Sequence, residues 1–108
     1  MGKKINKLVR DNIVALIRKT GKQPQYYVAE AEEYNQRLLD KMLEELAEFK
    51  ENPCIEEAAD MYEVLMAVIE RWGLDICDVI KYAENKKKEK GGFFDGHILT
   101  GVVDEISE

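Results

Sequence analysis

The sequence holds one histidine, two cysteines and two prolines, and the first two scarcities each close off a class of chemistry. A single histidine cannot supply the two Glu-x-x-His pairs of a carboxylate-bridged di-iron bundle. His97 has no acid or nucleophile at motif spacing either, so a surface or tail role is expected. Cys54 and Cys77 stand too far apart for a CxxC motif and lack partner ligands, which makes both read as reduced structural thiols. No Ser or Cys is accompanied by a base at motif spacing, which sets covalent nucleophilic catalysis aside. No stretch approaches the roughly 20 apolar residues of a membrane span, and Met1-Gly2-Lys3-Lys4 is not followed by the apolar run of a signal peptide. The expectation is a cytoplasmic protein away from membranes. A net charge of −6, from 22 acidic and 16 basic residues, argues against broad binding to nucleic acid.

What the chain does have is acid in a pattern. Glu45/Glu48 and Glu57/Asp60 lie at mirror-image distances from the turn Asn52-Pro53: Glu48 and Glu57 are each four residues from the nearer turn residue, and Glu45 and Asp60 are each seven. If both flanks are helical, an i,i+3 spacing puts each pair on one helix face. A rise of about 1.5 Å per residue then brings the pairs level in an antiparallel hairpin. Four carboxylates at one height repel each other unless a cation compensates them, and an oxygen-only ligand set suits hard Mg²⁺ or Mn²⁺.

The hairpin rests on periodicity. Leu38, Leu39, Met42, Leu43, Leu46 and Phe49 recur at three- and four-residue steps, one apolar stripe on a helix near 32–51. Pro53 disfavours helical geometry at Asn52 and should end it. From Ala58 to Trp72 a second helix is apolar over most of its circumference, with Glu56, Glu63 and Glu70 marking its wet face. Glu57 is rotated about 120° and Asp60 about 60° from Glu63, on a stripe that continues into Val64, Ala67 and Val68, so both acids are expected to point toward protein. A short helix over 10–20, ended by Gly21, precedes the hairpin, with Asp11 read either as its N-cap beside an exposed Arg10 or as part of a ligand-binding segment. A helix over about 76–90 follows it, with Asp75 as N-cap. Tyr26, Tyr27 and Val28 make 25–29 the one β-like stretch, which Ile98-Leu99 could pair. At 108 residues and 45% hydrophobic content, the expectation is a single all-α domain, an antiparallel helical bundle with at most one short β-ribbon. The helix over 56–72 carries more apolar surface than its own chain easily covers, so oligomerisation should complete the bundle; terminal segments folded over it are the alternative.

The basic run Lys86-Lys87-Lys88-Glu89-Lys90 suits the C-terminal dipole of its helix. It also suits a polyphosphate: a triphosphate carries about four negative charges, more than carboxylate-bound metals neutralise, and Lys86 and Lys90, spaced i,i+4, could reach its outer phosphates from one face.

Glu44-Glu45-Leu46-Ala47-Glu48 followed by Glu57-Ala58-Ala59-Asp60 resembles the E-E-x-x-E then E-x-x-D signature of the all-α nucleoside triphosphate pyrophosphohydrolases. With Lys7-Leu8-Val9-Arg10-Asp11 at the front and Gly91-Gly92-Phe93 behind the basic helix end, the likeness is to the short MazG-like, phosphoribosyl-ATP-pyrophosphohydrolase-like branch and spans nearly the whole chain. The resemblance implies Mg²⁺-dependent attack at the α phosphorus of a nucleoside triphosphate, giving a monophosphate and pyrophosphate, in a homodimer or dimer of dimers. Glu45, Glu48, Glu57 and Asp60 would be metal ligands, and Glu44 would orient or deprotonate water. Arg10 would lie near phosphate or base, and Asn85, Lys86 and Lys90 would bind substrate. An arginine is more usual where Lys90 stands, and a lysine is a point charge where arginine offers a fork. Housekeeping nucleotide clean-up is the expected role. Phosphoribosyl-ATP hydrolysis in histidine biosynthesis and a non-catalytic helical dimer that binds a nucleotide or a partner are the alternatives.

Overall fold

Pro53 shapes the centre of the fold. In the computed structural model, which describes residues 5–105, Asn52 is drawn to φ −143°, ψ 79°, out of the helical region that a following proline disfavours. Helix α2 (Ala31–Glu51) stops there and α3 (Ile55–Arg71) starts two residues beyond the proline. The two pack on each other as an antiparallel hairpin. Two further helices, α1 (Ile13–Lys19) and α4 (Ile76–Lys90), complete an all-helical set, with no strand among the described residues. None of the described helices is long and apolar enough to cross a membrane. The segment Met1-Gly2-Lys3-Lys4 lies outside the described residues.

The chain divides between Ile76 and Cys77 into two compact units. In the first, the apolar stripe of α2 splits in two. Leu38, Met42, Glu45 and Phe49 follow one another at steps of four, three and four; Leu38 and Glu45 are buried, Met42 and Phe49 half-buried. Beside them Leu39, Leu43 and Leu46 stay 47%, 67% and 52% exposed. On α3, Val64 and Ile69 are buried, whereas Tyr62, Leu65 and Trp72 remain open. Glu56, Glu63 and Glu70 are exposed, as a wet face requires. The apolar core of the described residues is therefore Leu38, Val64 and Ile69, each contributing about 1.5–3 kcal/mol of burial.

Polar ties reinforce this small core. Arg71 Nε donates to Asn35 Oδ1 at 2.6 Å, joining α3 to α2, and its guanidinium lies 5.0 Å from the Tyr34 ring centroid. Arg37 on α2 donates from Nη1 to Asn6 O at 3.0 Å and from Nη2 to Asn6 Oδ1 at 2.9 Å, holding the segment before α1 against the hairpin. Helix α3 ends in a Schellman turn, with Gly73 N–H donating to Glu70 O and Leu74 N–H to Ile69 O. Gly73 supplies the left-handed φ of 69° that this closure needs.

Three local expectations change. Helix α1 is shorter than 10–20, and its N-cap is Asn12 without a side-chain bond, not Asp11. Arg10 belongs to the incoming turn, where its carbonyl accepts from Ile13 N–H, and its side chain is drawn elsewhere. Residues 25–29 form no strand, and neither do Ile98 and Leu99. Tyr26, Tyr27 and Val28 are 56%, 66% and 85% exposed, without the neighbouring strands that make extended backbone stable. Instead the Tyr27 hydroxyl donates to Glu33 Oε2 at 2.6 Å. In the second unit, α4 closes with Gly91 N–H donating to Lys87 O, and the following residues to 105 contain no helix or strand. His97 is exposed there, and Cys54 and Cys77 form no disulfide.

Candidate metal centre

Glu45 falls on the covered line of α2 because it is four residues from Lys41 and seven from Leu38, the same side of the helix. Its side chain is 7% exposed. Across the turn, Glu57 and Asp60 come from the first two turns of α3 and are half-buried, and Glu48 faces solvent at the end of α2. One carboxylate oxygen from each of Glu45, Glu48, Glu57 and Asp60 lies within 4.8 Å of the other three. The four acids expected at one height do stand together.

Their surroundings are unequal. Lys41 Nζ lies 3.3 Å from both Glu44 Oε1 and Glu45 Oε1, and Lys7 Nζ is 3.3 Å from the same Glu44 oxygen. Arg10 Nη2 donates to Asp60 Oδ1 at 2.6 Å. Glu48 and Glu57 enter no ion pair among the described residues. Burial pushes the Glu45 carboxyl above its usual range, the adjacent Glu48 carboxylate pushes the same way, and Lys41 draws it back only in part. Burial also opposes charge on Glu44, but Lys41 and Lys7 outweigh it and hold Glu44 below the usual carboxylate range. Lys41 is itself partly desolvated, yet Glu44 and Glu45 together keep its ammonium charged and its pKa raised.

Two oxygens are left over. Glu45 Oε2 and Glu57 Oε2 are buried and accept no hydrogen bond, which is costly for a carboxylate. Five acids, counting Glu44, meet three cations, a deficit of two charges that one divalent ion matches. Hard oxygen donors, orphaned lone pairs and this deficit all fit a hard divalent cation. Beside the cluster, Glu44, Ala47, Glu48, Glu51, Asn52 and Glu57 line an open cleft of about 430 Å³, which gives Glu44 a place next to Glu48 and Glu57.

Lys41 went unnoticed in the sequence, although its i,i+3 and i,i+4 spacing to Glu44 and Glu45 is the ordinary signal for such a pair. The Arg10–Asp60 bond spans 50 residues and had no sequence signal. In the second unit, Lys86, Lys87 and Lys90 share a cavity of about 730 Å³ with Ala83, Gly91, Gly92, Phe93 and Phe94. Lys86 and Lys90 thus stand on one face of α4, whereas Asn85 is exposed and is not among the lining residues. The chain matches no protein-family model, no curated protein and no solved structure.

Proposed function

We propose that the chain is a Mg²⁺-dependent nucleoside triphosphate pyrophosphohydrolase of the MazG-like all-α type, cleaving at the α phosphorus to release a nucleoside monophosphate and pyrophosphate. The observation that carries this reading is the four-carboxylate cluster in which the nearly buried Glu45 keeps an unpartnered oxygen. Acids serving only as solvated helix charges have no reason to be held inward at such cost.

A divalent ion held by Glu45, Glu48, Glu57 and Asp60 would neutralise phosphate oxygens and acidify a bound water. The chain's own groups do the rest. Glu44, kept ionised by Lys7 and Lys41, orients the attacking water from the cleft wall and accepts its proton. Arg10 offers a guanidinium fork to a phosphate. In the second unit, Lys86 and Lys90 carry point charges that suit a polyphosphate, and Asn85 is the candidate for a polar contact to the nucleotide. Clean-up of cellular nucleotides is the favoured role over phosphoribosyl-ATP hydrolysis, because the Lys7-to-Asp11 opening fits the former branch. The exposed Leu39, Leu43 and Leu46 on α2 and Tyr62, Leu65 and Trp72 on α3 support a homodimer or a dimer of dimers.

Incubation of the purified chain with Mg²⁺ and a nucleotide panel in ¹⁸O-labelled water tests this. The expected result is pyrophosphate plus a monophosphate that carries the label, since attack at the α phosphorus puts the water oxygen there. Label in the diphosphate product would move the attack to another phosphorus. No product with any nucleotide leaves the second reading, a helical dimer that binds without hydrolysis.

A further inference from the structure

Arg10 reaches Asp60 from a different part of the chain. Its guanidinium is 56% exposed and Asp60 33%, so a polar anion in solvent could meet the one and a cation the other. The segment that carries Arg10 is anchored independently on both sides of that contact. Asn6 is gripped by Arg37 through two hydrogen bonds, and Ile13 N–H holds the Arg10 carbonyl in the turn before α1. Release of the Arg10 side chain therefore leaves its backbone in place.

We infer that Arg10 is an exchangeable counter-ion of the acid cluster, held by Asp60 until a divalent cation takes that carboxylate and then freed to bind an anionic ligand beside it. The inference rests on the metal-binding reading of the cluster. Like charges drive it. A divalent ion on either Asp60 oxygen comes within a few ångströms of a guanidinium that touches Oδ1 at 2.6 Å, and the repulsion opposes the existing attraction. An exposed pair of this kind contributes little, so the exchange costs little. The freed fork of parallel N–H donors matches a phosphate better than it matches a carboxylate already committed to a metal. Arg10 thus couples the two events: the site offers its guanidinium to an anion only after the cation is in place.

Two measurements on the full chain test this, both without turnover. Isothermal titration with Mn²⁺ alone compares wild type with Arg10→Met and with Lys7→Met, which removes a nearby charge that sits on Glu44 and not on the four ligands. Arg10→Met should bind the ion about two- to fivefold more tightly, and Lys7→Met should change affinity less. Arginine side-chain NMR of the wild type, titrated with Mg²⁺, should move the Arg10 guanidinium signals toward those of free arginine. Because this second readout uses the unaltered chain, a misfolded variant does not blunt it. If wild type binds the ion while Arg10→Met binds it equally or less well and the Arg10 signals stay fixed, the exchange is overturned and Arg10 is a fixed support for Asp60. If neither wild type nor Arg10→Met binds any divalent ion, the metal-binding reading falls and the exchange with it.

Discussion

Glu45 carries the most conflict of any single side chain. Its folded-state pKa lies above the ordinary value, so the folded chain binds that proton more tightly than the unfolded chain does. The stability it contributes is fully present below the unfolded pKa and is lost as pH rises through the folded one. Glu44, held low, works in the opposite sense, contributing above its unfolded pKa and losing that as pH falls. Glu45→Gln isolates the first effect. In chelator at neutral pH the variant should melt higher than wild type, with the gap closing as pH falls toward the acid range. In Mg²⁺ the order should invert on the proposed reading, because an ion bound by the cluster would raise the melting temperature of wild type by mass action and the variant would lack a charged ligand. A variant that melts lower in chelator would mean that Lys41 stabilises Glu45 more than burial and Glu48 oppose it. Asp60→Asn should lower hydrolysis by at least about 100-fold with helical circular dichroism unchanged. Glu63→Gln, on the wet face of α3, should leave turnover near wild type.

Helix positions were legible wherever periodicity or a breaker residue marked them. The turn at Asn52-Pro53, the α3 end at Gly73 and the α4 span all follow from rules that act within a few residues. Which half of the Leu38-to-Phe49 stripe would be covered was not legible, because that depends on where α3 lies and two adjacent helical lines share the same apolar residues. The consequence is measurable: Leu38→Ala should cost about 2–4 kcal/mol, whereas Leu43→Ala, at 67% exposure, should cost under about 0.5 kcal/mol unless another surface covers it. The carboxylate cluster was legible because equal spacing from one turn is itself a geometric statement, as Lys41 was by its i,i+3 and i,i+4 spacing; Lys7 and Arg10 were not legible as its partners, since they arrive from outside the hairpin. The end of α4 makes its own prediction. With Lys86 and Lys90 lining one cavity, Lys86→Met/Lys90→Met should raise KM for triphosphates more than for diphosphates, and leave Mn²⁺ affinity unchanged. Equal KM values in the double variant and wild type would reduce these lysines to dipole-compensating helix ends.

For the molecule as a whole, the apolar surface left on the hairpin decides the expectation. Leu39, Leu43 and Leu46 on α2 are all exposed, and residues such as these in contiguous exposed groups mark association surfaces. Light scattering should give a mass of two or four times 12.5 kDa, with Leu43→Glu/Leu46→Glu shifting it to the monomer. A monomeric wild type at micromolar concentration would require the chain's other segments to cover that face. The turn at Asn52-Pro53 also sets an order of events in time. Glu48 and Glu57 are nine positions apart and Glu45 and Asp60 fifteen, so closing the hairpin needs only a short loop. Loops of about ten residues close in some 10–100 ns, and topologies rich in such local contacts reach the native state quickly. Association of two chains, by contrast, is limited by encounter and slows on dilution. The four acids are therefore brought together by local contacts early after the chain collapses, ahead of any encounter with a second chain, and ions in solution have access to them from then on.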